Sequence, residues 1–120
     1  MGTVVNSARP YPDPVLIVVN RFRVENDEAG FRSGLEEAWG LLAAKPGYAG
    51  GEIGRNLDDP TLWLLTTRWG NVGSYRRALS AYDVKLNAVP TLSRALDEPS
   101  AYESAAPGET LNEPDPRRFG

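Results

Sequence analysis

The sequence predicts one α+β domain in which six elements follow one another in the order β-α-β-β-α-β. Residues 15–24 and 61–69 alternate their side chains between two faces and are rich in β-branched or aromatic residues, which is typical of strands. Two other stretches repeat apolar residues at three- and four-residue steps, as amphipathic helices do. A chain of 120 residues is long enough for one hydrophobic core, so we expect a single domain.

The first strand, predicted over residues 15–24, has two faces of different character. One face carries the row Leu16, Val18, Asn20, Phe22 and Val24. Asn20 is therefore a lone polar residue in an apolar row. The opposite face is apolar as far as Val19 and ends with Arg21 and Arg23. Both faces of the strand are thus predicted to be covered for most of its length.

The first helix is predicted to begin after Asn26 or Asp27, because a short side-chain oxygen can accept a hydrogen bond from a first-turn amide. Its apolar stripe is formed by Phe31, Leu35, Ala38 and Leu42. The helix is expected to end at residues 45–47, where a proline cannot continue the hydrogen-bond ladder and a glycine can adopt a left-handed turn.

The next two segments are predicted to form a hairpin. Residues 48–57 contain Gly50, Gly51 and Gly54, which favour a bulged or closely approached strand. A turn over 56–60 leads to a strong strand over 61–69. One face of that strand carries Trp63, Leu65, Thr67 and Trp69.

The second helix is predicted to be capped by Asn71 and to be followed by a short helical piece that starts at Pro90. Its apolar side is expected to carry Val72, Tyr75, Leu79 and Tyr82. Residues 100–104 are predicted to form the last strand. This order is the split βαβ, ferredoxin-like arrangement, with an antiparallel sheet of four strands.

Two extended arms are predicted to flank the domain, which spans residues 15–104. Residues 1–14 contain three prolines, and residues 105–120 form a tail rich in proline and acidic residues. Neither arm has a periodic apolar pattern that would join the core. The arms are available to contact another protein.

Composition excludes several kinds of chemistry. The chain contains neither cysteine nor histidine, so it has no disulfide, thiolate nucleophile, Cys/His zinc site or imidazole ligand for haem. Acidic residues show no metal-binding spacing, and we expect no metal. The net charge of -3 with interspersed signs argues against nucleic acid as a partner. No apolar run approaches the roughly 18 residues of a membrane span, and no secretion signal is visible, so we expect a cytoplasmic protein without a membrane partner.

Several segments resemble the antibiotic-biosynthesis monooxygenase domains over about residues 15–103. The resemblance rests on Asn20-Arg21-Phe22, on the links at 45–50 and 55–60, on the strand end at 66–69, and on the aromatic Tyr75 in the following helix. It implies a homodimer of the dimeric αβ-barrel type, in which two four-stranded sheets meet and each subunit has a pocket between its helices and its sheet. The apolar character of both faces of the first strand independently favours a partner on the second face.

The resemblance also implies candidate site residues. Haem-degrading relatives use an asparagine on the first strand, a tryptophan at the end of the third strand and a helix histidine. Asn20 and Trp69 match the first two, but the chain has no histidine. What remains is similar to the cofactor-independent oxygenases of the family, in which Asn20 would donate to a substrate oxygen and Trp69 and Tyr75 would stack on or hydrogen-bond to an aromatic ligand. No cofactor is expected.

Each of these residues also has a structural interpretation. Asn20 can be a buried amide bonded to a neighbouring loop, Trp69 a core or interface anchor, and Tyr75 a core residue with a polar tip. Two functions therefore stay open: a cofactor-independent monooxygenase of an aromatic or polyketide-like small molecule, and a non-catalytic dimeric binding or assembly module. The sequence does not decide whether the protein is an enzyme. A pocket of ~300 Å³ or more that reaches Asn20 and Trp69 would favour the enzyme.

Overall fold

The computed structural model describes residues 15–111. The predicted N-terminal arm and residues 112–120 of the predicted tail lie outside this range. The described elements, in chain order, are β1 (Leu16–Arg23), α1 (Glu28–Ala43), β2 (Tyr48–Arg55), β3 (Leu62–Trp69), α2 (Val72–Ser80), α3 (Tyr82–Asn87), α4 (Val89–Leu92) and β4 (Ala101–Glu103). The predicted α+β class is confirmed.

The four strands form one antiparallel sheet in the order β2-β3-β1-β4. The two central strands, β1 and β3, pair along their whole length, from Leu16 opposite Trp69 to Arg23 opposite Leu62. The short strand β4 pairs with the start of β1, and Ser100 and Leu96 continue that contact through backbone hydrogen bonds of 2.7 Å to Val19 and Arg21. This is the predicted ferredoxin-like topology.

Strand β2 carries the irregularity that its glycines predict. Its register against β3 shifts between Tyr48 and Gly50, and Gly50 has a φ of 148°, which a residue with a side chain rarely adopts. The strand ends at Arg55. The Asn56 carboxamide oxygen then accepts from the amides of Asp58 and Asp59, each at 2.8 Å, and so forms the turn to β3.

Helix α1 begins and ends where its sequence signals predict. Asp27 is the cap, and its side chain accepts from the Gly30 amide at 3.2 Å. The four residues of the predicted apolar stripe are the four buried residues of the helix. After the helix, Gly47 has a φ of 92° and turns the chain toward β2.

The second helical region differs from the prediction. The single helix expected after Asn71 is divided into α2 and α3, because Ala81 between them is extended. The short helical piece expected from Pro90 is α4, which begins at Val89. Tyr82, expected on the apolar side, is 79% exposed, whereas Ser74 and Ala78 are the buried residues of α2. Small residues face inward because α2 approaches the turn at Gly47 closely, and a Cβ built on Gly47 would lie 2.3 Å from the Ser74 side chain.

The hydrophobic core lies between the helices and one face of the sheet. Alternate residues of the central strands are buried there, among them Leu16, Val18, Phe22, Trp63, Leu65 and Trp69. On the opposite face, Ile17, Val19 and Leu64 are only partly buried. Within residues 15–111 no helix is long and apolar enough to cross a membrane.

Candidate functional site

Two of the three predicted site residues share the helix-facing side of the sheet but lie apart on it. Asn20 stands opposite Leu65, whereas Trp69 stands opposite Leu16. The two positions are therefore separated by four residues along the strands, or roughly 13 Å. The strand register brings Asn20 and Trp69 to one face without bringing them into contact.

Asn20 is a half-buried amide without a protein partner in the described part of the chain. Its neighbours in the row, Val18 and Phe22, are buried at 0% and 1% exposure. Within residues 15–111 the Asn20 side chain makes no hydrogen bond, and its amide atoms are not fully enclosed. The expected alternative, a buried amide bonded to a loop, is not what these residues form.

Trp69 is enclosed in an aromatic cluster. Its side chain is fully buried, and its indole N–H donates to the Thr67 hydroxyl at 2.9 Å. The ring stands edge-on to Tyr48 at 5.5 Å and tilted against Tyr75 at 5.5 Å. The Tyr48 hydroxyl in turn accepts from the Trp39 indole N–H at 2.7 Å. This environment matches the structural interpretation of Trp69 as a core anchor.

Tyr75 touches the same cluster from α2. The ring is partly buried, and this burial raises the pKa of the Tyr75 phenol above its ordinary value, because the phenolate would lose hydration. Tyr75 is therefore neutral at physiological pH. In contact with a ligand it can donate a hydrogen bond but cannot act as a base.

An opening in the described residues lies elsewhere, in a groove between α1 and β2. Its volume is about 640 Å³. Its walls come from residues 28–39 of α1 and residues 52–55 of β2, and Trp63 of β3 also lines it. Neither Asn20, Trp69 nor Tyr75 reaches this groove. We refer to it below as the α1–β2 groove.

The α1–β2 groove has a charged rim and a buried indole donor, that of Trp63. Arg55 on β2 donates to Glu28 on α1 at 2.7 Å, and its guanidinium carbon lies 5.8 Å from the centre of the Trp63 ring. On α1, Arg32 donates to Glu36 at 3.2 Å. The Trp63 indole nitrogen is buried and has no hydrogen-bond partner in the described residues.

Sequence reasoning did not find this groove, although it placed Trp63 on the correct face of β3. The only signal was the glycine-rich composition of β2, which lowers the side-chain bulk along that edge of the sheet. For metals, the part of the chain between residues 15 and 111 contains no group of three or more acidic side chains arranged to hold an ion.

Comparisons with known proteins agree with the fold. The family model described as antibiotic biosynthesis monooxygenase matches residues 15–85. The chain is similar to SnoaB, a cofactor-independent oxygenase from Streptomyces nogalater, with 23% identity, a TM-score of 0.68, and coverage of 83% of this chain and 99% of that chain. It is also similar to a conserved protein from Methanosarcina mazei Go1, with 18% identity, a TM-score of 0.64, and coverage of 77% and 94%. A search of curated proteins found no significant match.

Proposed function

The chain belongs to the antibiotic biosynthesis monooxygenase family, and from this premise we propose that it is a cofactor-independent monooxygenase of an aromatic or polyketide-like small molecule. The family match over residues 15–85 includes Asn20, Trp69 and Tyr75. SnoaB, to which the chain is similar in fold, is described as a cofactor-independent oxygenase. The observation that carries the proposal is the Asn20 amide, which has no hydrogen-bond partner within residues 15–111 and lies on the helix-facing side of the sheet.

Asn20 is proposed to bind an oxygen of the substrate. A half-buried amide in an apolar row loses water contacts without gaining a protein partner, and a substrate oxygen would restore a hydrogen bond. If that oxygen becomes negatively charged during the reaction, the same bond strengthens and lowers the barrier. Tyr75, neutral because burial raises its pKa, is suited to a second donor role on the ligand. Trp69 is proposed to support the aromatic wall of the site.

The proposed reaction needs no group beyond the substrate and dioxygen. An activated methylene of the substrate loses a proton to solvent and gives a carbanion that its own aromatic system stabilises, and this anion transfers an electron to dioxygen. After recombination, one oxygen atom becomes the carbonyl oxygen of the product, and the other leaves as water with the two methylene hydrogens. The protein orients the substrate, stabilises its negative oxygen and excludes bulk water.

We propose that the protein acts as a homodimer. The helices of the described residues pack on one face of the sheet, while Ile17, Val19 and Leu64 remain partly exposed on the other. A second copy laid against this face would bury apolar area that water now contacts, and a stable contact of this kind exceeds about 1,000 Å².

The test is oxygen consumption with a panel of anthrones and hydroquinones. The intact protein is compared with Asn20→Ala, Trp69→Phe and the control Asn87→Ala, which removes an exposed amide at the end of α3. We expect Asn20→Ala to lose about 100-fold in kcat, and Asn87→Ala to keep full activity, with circular dichroism confirming that each variant is folded. Equal turnover in Asn20→Ala and the intact protein would remove Asn20 from the mechanism.

The enclosure of Trp69 favours a second candidate, a non-catalytic dimeric binding or assembly module. Trp69 is fully buried with its donor in use, and the α1–β2 groove does not extend to it. In such a module the space under the helices is filled with side chains and the terminal arms contact another protein. Absence of turnover with the whole panel, in a folded dimeric sample, would favour this function.

A further inference from the structure

We propose that the α1–β2 groove is a second binding site, which takes a flat, neutral aromatic molecule with a carbonyl oxygen, and that the Trp63 indole N–H donates to this oxygen. The site goes beyond the oxygenation proposed above, because the groove includes none of Asn20, Trp69 and Tyr75. It does not require that the bound molecule be oxidised.

The Trp63 indole is a buried donor without an acceptor in the part of the chain that the structure describes. The side chain is 95% buried, being 5% exposed, and within residues 15–111 its indole nitrogen has no acceptor. The chain has three tryptophans, and the other two have partners: Trp39 donates to Tyr48, and Trp69 donates to Thr67. Buried donors are nearly always paired, because an unpaired one loses its hydration without compensation. An acceptor oxygen from a ligand would complete the bonding of Trp63.

The α1–β2 groove has the size and the lining of a site for a small aromatic molecule. A volume of about 640 Å³ is in the range of small-molecule sites. Two indole rings, those of Trp63 and Trp39, line it together with Ile53. Flat aromatic surfaces of this kind favour a flat aromatic ligand, which can stack or meet them edge to face.

The charged side chains of the α1–β2 groove disfavour an anionic ligand. The lining contains three glutamates and two arginines. Each arginine is bound to one glutamate, Arg55 to Glu28 and Arg32 to Glu36, and Glu52 makes no ion pair within the described range. The remaining carboxylate disfavours an anionic ligand. A neutral carbonyl compound is therefore a better match than a carboxylate or a phosphate.

Arg55 covers the Trp63 ring and is suited to move aside when a ligand enters. Its guanidinium lies over the ring, and its ion pair with Glu28 links β2 to α1 across the groove. Both side chains of the pair are 50% exposed, so that water can replace the contact at little cost. A ligand that displaces Arg55 would gain the face of the indole and access to its nitrogen.

The experiment uses 9-fluorenone as the probe and fluorene as its matched control. The two are tricyclic aromatic molecules of nearly the same shape, and they differ in the carbonyl that Trp63 is proposed to bind. Fluorenone has no methylene to oxidise, so its binding is independent of any oxygenase activity. The readout is the set of three indole N–H signals in proton–nitrogen spectra of the intact, uniformly labelled protein, assigned with single Trp→Phe variants.

We expect fluorenone to move the Trp63 indole proton downfield in a saturable way, while the signal of Trp69, which has an acceptor and does not line the groove, moves little. Fluorene should cause no comparable shift. In calorimetry, Trp63→Phe should weaken fluorenone binding about 5- to 10-fold and leave fluorene binding nearly unchanged. Trp39→Phe should weaken both ligands to a similar degree.

Two results would overturn the inference. One is a Trp63 signal that stays in place at fluorenone concentrations that saturate the protein. The other is an equal response to fluorenone and fluorene, which would show that apolar contact alone drives binding. The spectra of the intact protein give this answer even if Trp63→Phe does not fold.

Discussion

Thr67 and Trp69 lie in the same helix-facing row of β3, and the Thr67 hydroxyl accepts the indole proton of Trp69 at 2.9 Å. Both side chains are buried, with 1% and 0% exposure. The buried Trp69 indole N–H cannot bond to water, and the Thr67 hydroxyl supplies its acceptor. The same strand thus contains one tryptophan with a built-in acceptor, Trp69, and one without an acceptor in the described residues, Trp63.

Replacing Thr67 with valine is expected to destabilise the protein by about 1–3 kcal/mol, because the shape is kept while the Trp69 donor is left unpaired. Denaturant unfolding followed by fluorescence measures the change. The control is the same substitution in a Trp69→Phe background, where no donor remains and the loss should be smaller. Equal losses in the two backgrounds would mean that the bond contributes nothing.

Gly47 and Gly40 form a matched pair for glycine-to-alanine substitution. At Gly47, with a φ of 92°, the new Cβ would lie 2.3 Å from the Ser74 side chain, so Gly47→Ala should cost about 2–4 kcal/mol from strain and overpacking. At Gly40 in α1 nothing lies within 4 Å, and Gly40→Ala should stabilise the protein by about 0.5–1 kcal/mol. Urea unfolding of both variants tests this prediction, which fails if both substitutions have the same sign.

Stability is expected to fall in acid and to change little between about pH 5 and pH 8. Bonds from Thr61 and Arg23 lower the pKa of Asp59, Lys45 lowers that of Asp83, and Arg21 lowers that of Glu98. A lowered pKa means that the unfolded chain takes up protons first as the pH falls. These carboxylates therefore contribute their full stabilisation at pH values above their ordinary pKa values. The contribution is lost as the pH falls through their lower pKa values in the folded protein. No histidine adds a transition near neutrality.

Thermal unfolding of Glu98→Gln against pH tests this assignment. The variant should lose part of the dependence on pH in the acid range, because it lacks one of the carboxylates with a lowered pKa. Glu37→Gln is the control, since Glu37 is exposed on α1 and makes no ion pair within residues 15–111. A profile for Glu98→Gln that stays parallel to that of the intact protein would contradict the role of the Arg21–Glu98 pair.

Leu64→Arg is expected to convert the proposed homodimer into a monomer. The residue lies on the face of the sheet opposite the core, where an arginine would place an unpaired charge in an apolar contact. Leu57→Arg, at the 98% exposed tip of the β2–β3 turn, is the matched control and should stay dimeric. Sedimentation velocity at micromolar concentration gives the masses. A monomeric mass for the intact protein would contradict the proposed homodimer.

The sequence by itself determined the local structure. The local features are the Asp27 and Asn71 caps, the four-residue stripe of α1, the bulge in β2 and the alternating faces of β1 and β3. They follow from side-chain periodicity and from backbone preferences of a few neighbouring residues. These features depend on interactions within a turn or along a strand. Such features can therefore be predicted from short stretches of the sequence.

The tertiary structure alone decided the packing between elements. The spacing of apolar residues placed Tyr82 on the apolar side of the helix, but after the extended Ala81 it is 79% exposed. The groove depends on the gap between α1 and β2, bridged by Glu28 and Arg55 at a sequence separation of 27. Periodicity tells which face of an element is buried, but the distance between two elements follows from the fit of all side chains between them. That fit buries the Trp63 indole nitrogen without an acceptor in the described residues, whereas Trp69 bonds to Thr67 two residues away on the same strand.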